Sequence, residues 1–97
     1  MRKTEFLKTV DEGLKRGKCF MVLKVKHEDY ELPQIIIDPT EDIYAKLNYY
    51  DSHYDDDMTM ILAKSGKKVI QVVDVLMTSN LNDLNRFAYK GGKKYAD

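Results

Sequence analysis

Tryptophan is absent, cysteine occurs once, histidine twice and proline twice. Each scarcity closes off a class of chemistry. One cysteine, Cys19, rules out an intramolecular disulfide and makes a reducing compartment, the cytoplasm, the simpler expectation. One cysteine and two histidines cannot make a Cys/His zinc site. The Gly-x-Gly-x-x-Gly, Gly-x-x-x-x-Gly-Lys and Gly-x-Ser-x-Gly patterns that cradle phosphates or lift a nucleophile do not occur. No apolar run reaches the ~20 residues that a membrane helix needs, so no membrane role is expected. The segment around Met1-Arg2-Lys3-Thr4-Glu5 is charged and amphipathic, unlike a secretory leader. No cofactor is implied.

The 97 residues fit one small domain with a modest core. Phe6, Leu7, Val10 and Leu14 recur at helical spacing, which predicts a helix over about 2–16, stopped by Gly17. Residues 19–26 and 34–37 read as two strands of a hairpin, with Pro33 at the start or edge of the second. In Asp38-Pro39-Thr40-Glu41, the residue types suit N-cap, N1 and N3, which predicts a second helix from Asp38 to about Asp51 with Ile43, Leu47 and Tyr50 inward. Residues 58–63 and 69–77 read as a second hairpin about Ser65-Gly66. Ser79 is the expected cap of a last helix carrying Leu81, Leu84, Phe87 and Ala88.

The order α-β-β-α-β-β-α predicts a single α+β domain over residues 1–90, an antiparallel sheet with helices packed on one face. Residues 91–97, rich in glycine and lysine, read as a tail. Cys19 lies in the apolar run Cys19-Phe20-Met21-Val22-Leu23 and reads as a small buried hydrophobe. Asp74 interrupts an apolar strand, so its carboxylate must be solvated, paired or shifted in pKa, and an edge position is the simplest placement.

Charge is balanced in sum, with 16 basic and 16 acidic side chains, but not along the chain. Residues 38–63 carry a net −6, against +2 before and +4 after. The acidic block contains Asp51-Ser52-His53-Tyr54-Asp55-Asp56-Asp57. As an EF-hand loop this stretch fails: counted from Asp51, the sixth position is Asp56 where glycine is required, and the twelfth is Leu62 where glutamate is required. A carboxylate pair for acid/base catalysis is equally unselective, because nothing singles out two of the aspartates.

Tyrosine beside carboxylate is instead the composition of a protein contact surface. Tyr50 belongs to the buried face by spacing, whereas Tyr49 and Tyr54 are the candidates for exposure. The leading expectation is a small non-enzymatic protein-binding module using Tyr49, Asp51, Tyr54, Asp55, Asp56 and Asp57 against a basic partner. A sharper form has the surface imitate phosphate charge and inhibit or regulate a nucleic-acid-binding protein. Inhibitors carried by phages and mobile elements share this size and charge, although no residue motif ties the chain to a family. Two alternatives stand beside it. One is a nucleic-acid-binding accessory protein using Lys64, Lys67, Lys68 and Arg86, disfavoured by a pI near 6.7. The other is a homo-oligomeric structural or assembly subunit built on an exposed strand edge or helix face.

Overall fold

A computed structural model describes residues 1–61 and 69–88. Helix α1 runs Lys3–Lys15, strand β1 Phe20–His27, strand β2 Gln34–Pro39, helix α2 Ile43–His53, strand β3 Ile70–Thr78 and helix α3 Leu84–Ala88. The fold is α+β, with an antiparallel sheet in the order β2-β1-β3.

Each turn of chain has a local cause. Phe6 and Val10 are fully buried on one stripe of α1, and the chain reverses at Gly17, whose φ of +72° lies where glycine carries no side-chain penalty. Gly13 lets α1 press onto β3, because a Cβ there would collide with the side chain of Met77. In the central strand, alternate residues face opposite sides. Met21, Leu23 and Val25 join Phe6, Val10, Ile43, Tyr50, Tyr54, Met58, Val72 and Val75 in the main core under α1 and α2. Val22 and Lys24 face the other way, where the short α3 brings Phe87 over the sheet with the Lys24 ammonium 5.0 Å from its ring centre. The two longer helices thus share one face, and α3 reaches round to the second.

Asp74 lies directly across from Lys24 in the ladder, next to a register shift, and its Oδ1 accepts the Val75 N–H (2.8 Å). A carboxylate in an apolar strand is accounted for by an edge strand and an opposite charge on the neighbouring strand. Thr78, which is buried, donates its hydroxyl proton to Asp83 Oδ2 (2.8 Å) and ties the start of α3 to the end of β3.

Several expectations are corrected. Asp38 does not cap a helix: it is a strand residue opposite Met21, Pro39 closes β2, a 3-10 turn fills Thr40–Asp42, and α2 begins at Ile43. The Thr40 N–H is already taken by the Cys19 carbonyl (2.9 Å), so the β1–β2 ladder captures the backbone that the helix would have used. Cys19 is exposed, since it stands one residue before β1 and beyond the covered part of the sheet. Ser79 is not the cap either. Its hydroxyl accepts the Cys19 N–H (3.2 Å), and Asn80 caps the turn at Leu81 by accepting the Asn82 N–H (3.0 Å). In place of the strand expected over 58–63, among the described residues of that stretch Thr59 and Met60 form single bridges, to Gln71 and Tyr54, and the backbone turns helical at Ile61. The Ser65-Gly66 turn and the 91–97 tail lie outside the described residues.

Candidate functional site

The acidic, tyrosine-rich segment is built on α2 and the turn after it. Ile43 and Tyr50 turn inward with half-buried Leu47, and the opposite side presents Tyr44, Ala45, Asn48, Tyr49 and Ser52 to solvent. Tyr44 is 73 % exposed and Tyr49 41 %. An aromatic train connects core to surface. Phe6 meets Tyr50 edge-on (5.6 Å between ring centres), Tyr50 meets Tyr49 edge-on (5.3 Å), and Tyr49 stacks on His53 (4.5 Å). His53 is fixed in turn by its Nδ1–H, which donates to the Tyr49 carbonyl (3.0 Å).

Tyr54 departs from expectation. It is 4 % exposed and packs against Tyr50 (5.2 Å), because the helix ends at His53 and the extended backbone of Tyr54 bridges Met60, turning the ring under α2. Burial, and after it the neighbouring Tyr49, push the Tyr54 phenol up to about 12. Burial, followed by the Asp38 carboxylate, pushes Tyr50 higher still.

The aspartates divide into two kinds. Asp55 is half-buried, and its Oδ1 accepts the N–H groups of Asp57 and Thr59 (both 3.1 Å), while Asp57 Oδ1 also accepts from Thr59 (3.1 Å). These bonds shape a tight turn that delivers Met58 into the core with a positive φ of 62°. Asp51, Asp56 and Asp57 stay exposed. Lys3 fastens the whole segment from α1. Its ammonium donates to the carbonyls of Asp51 (2.7 Å) and Tyr54 (2.5 Å) and lies 3.6 Å from the Asp51 carboxylate, and its backbone N–H donates to the Asp56 carbonyl (2.8 Å).

Of the expected contact residues, the structure leaves Tyr49, Asp51, Asp56 and Asp57 exposed. Tyr54 is buried and Asp55 half-buried, while Asp57 accepts a turn amide and keeps its place at the surface. Tyr44 and His53, outside that set of six, are exposed on α2 as well. Tyr44 follows the inward Ile43 by one helical step of about 100°, a signal present in the spacing. Lys3 had no local signal, being 48 residues from Asp51.

For the alternative basic edge, Lys64, Lys67 and Lys68 lie outside the described residues. Arg86 is exposed on α3, where it lines an open pocket of about 310 Å³ with Leu76, Asp83 and Phe87. Among the described residues no group of three acidic, histidine or cysteine side chains is placed to hold a metal ion, and no helix is long and apolar enough to cross a membrane. Compared with protein-family models, curated proteins and solved structures, the chain matches none.

Proposed function

We propose that this domain is a non-enzymatic protein-binding module whose partner meets the outer face of α2 and the turn that follows it. The observation that carries the reading is the exposure of Tyr44 and Tyr49 on the solvent side of α2, in one segment with the exposed Asp51 and Asp56. Tyrosine supplies broad amphipathic contact area at little entropic cost, and the net −6 of residues 38–63 steers association toward a positive surface. The partner chemistry that fits is a basic groove of the kind that otherwise holds nucleic-acid phosphates, which makes inhibition or regulation of a nucleic-acid-binding protein the proposed role. A lone cysteine suits a reducing compartment, and the cytoplasm is the proposed setting.

The test is affinity capture from the native cell, followed by titration with the purified partner. Replacing Tyr44 and Tyr49 by Ala weakens binding about tenfold or more while the far-ultraviolet circular dichroism still reports a folded domain. Replacing Asp51 and Asp56 by Asn slows association and flattens its dependence on salt. Recovery of the same partner with unchanged affinity by both double variants contradicts the proposal. Retardation of DNA or RNA by the domain alone at low salt would instead favour the basic edge.

A further inference from the structure

The two edges of the sheet are unequal. The outer side of β3 is partly covered by residues 58–60: the Met60 N–H donates to the Ile70 carbonyl (2.8 Å) and the Val72 N–H to the Met58 carbonyl (2.9 Å). Among the described residues no strand lies outside β2. Edge strands ordinarily carry lysine, an interior proline or a bulge that blocks further pairing. Here the interior of the edge is Ile35-Ile36-Ile37, and Ile36 and Ile37 are 37 % and 41 % exposed.

The direction of the free backbone groups follows from the ladder. The Thr40 N–H bonds the Cys19 carbonyl, one step beyond the Phe20–Pro39 pair. Antiparallel bonds recur at every second residue, so Gln34, Ile36 and Asp38 turn their amides toward β1, and Ile35 and Ile37 turn theirs outward. The far end of β1 agrees: the Glu28 N–H reaches the Val69 carbonyl, putting the even residues of β1 on the β3 side and the odd ones on the β2 side.

The stretch Pro33-Gln34-Ile35-Ile36-Ile37-Asp38-Pro39 is a palindrome of residue types about Ile36. Paired antiparallel with an identical strand in that register, Ile35 of one copy faces Ile37 of the other and each exchanges both of its outward bonds, four in all. Pro33 then faces Pro39, so residues without an N–H meet each other and the ladder ends cleanly at both sides. Gln34 lies across from Asp38, an amide donor beside a carboxylate, and no like charges are opposed. This self-complementarity is what a two-fold interface requires.

We propose that β2 is the homodimer edge of this protein, pairing with β2 of a second copy about Ile36 to make a continuous six-stranded sheet. The inference rests on β2 alone and is independent of the α2 surface. The two Ile36 residues meet at a non-hydrogen-bonded pair, where Cα atoms approach to about 4.5 Å, within disulfide reach.

Sedimentation of the full chain in the micromolar range tests it, with twice the 11.3 kDa chain mass expected for the wild type. Ile35→Pro removes an outward donor without touching the ladder to β1 and yields monomer, and Ile37→Lys weakens dimerisation about tenfold or more. In a Cys19→Ser background, Ile36→Cys cross-links two chains under mild oxidation and Ile35→Cys does not. A monomer at the highest concentration overturns the proposal. So does a dimer indifferent to both edge variants, or cross-linking through position 35 rather than 36. Should Ile35→Pro lose its far-ultraviolet circular dichroism, Ile37→Lys and the cysteine pair decide the matter.

Discussion

The outer face of α2 and the turn after it belong to one acidic segment, yet they spend their polar groups differently. In the turn, Asp55 and Asp57 accept backbone amides, Tyr54 is buried and Met58 holds a left-handed conformation. On the helix, Tyr44, Tyr49 and Asp51 face solvent, with the Asp51 carboxylate 3.6 Å from the Lys3 ammonium. The difference teaches that local charge density does not measure how much surface is available for binding. A carboxylate that accepts turn amides has fewer lone pairs left for a partner, however acidic the stretch reads.

This contrast can be broken by mutation. The largest effect is expected for Tyr54→Ala, which empties a buried aromatic site and costs about 3 kcal/mol or more of stability in denaturant unfolding. A cost below about 1 kcal/mol would return Tyr54 to the surface. Lys3→Met follows, because it leaves the Asp51 and Tyr54 carbonyls without their shared donor. A loss of about 2 kcal/mol is expected, well above that of a surface ion pair, and urea unfolding distinguishes the two.

Alkaline pH probes the same aromatic train. The unfolded chain ionises its tyrosines near 10, whereas folded Tyr54 ionises at about 12 and Tyr50 higher. Their contribution to stability is complete below pH 10 and is lost as pH rises from 10 through 12, because the unfolded state releases protons that the folded state retains. Tyr54→Phe should flatten that decline, and absorbance titration of the wild type should show a late class among the seven tyrosines. The smallest and sharpest comparison is between neighbours. Asp55→Ala costs about 1–2 kcal/mol by releasing two turn amides, and Asp56→Ala stays within about 0.5 kcal/mol. Equal costs would erase the division between structural and exposed aspartates.

Where spacing alone decides orientation, the sequence was legible. The first helix, expected over 2–16, spans Lys3–Lys15, and Ile43, Leu47 and Tyr50 turn inward as their period requires. Gly17 stops α1 for the anticipated reason. Errors arose where a local signal met a distant competitor. Asp38-Pro39-Thr40-Glu41 has the residue types of a helix start, but Cys19, some twenty residues earlier, claims the Thr40 amide and extends β2 through Pro39. Tyr54 escaped because helical period ceases at His53, after which the bridge to Met60 sets the direction of the ring. Lys3 was invisible because its three partners are reached only after the chain has folded back. The division among the aspartates was hidden likewise, since a carboxylate that accepts a backbone amide and one that faces water are the same letter.

The most direct measurement of the central claim is an amide chemical-shift titration of the domain with its captured partner. Perturbations should cluster at Tyr44, Asn48, Tyr49, Asp51, Ser52, His53 and Asp56 and spare Asp55 and Met58. A map centred instead on Arg86 and the second face of the sheet, or on the Asp55–Met58 turn with α2 silent, would contradict it.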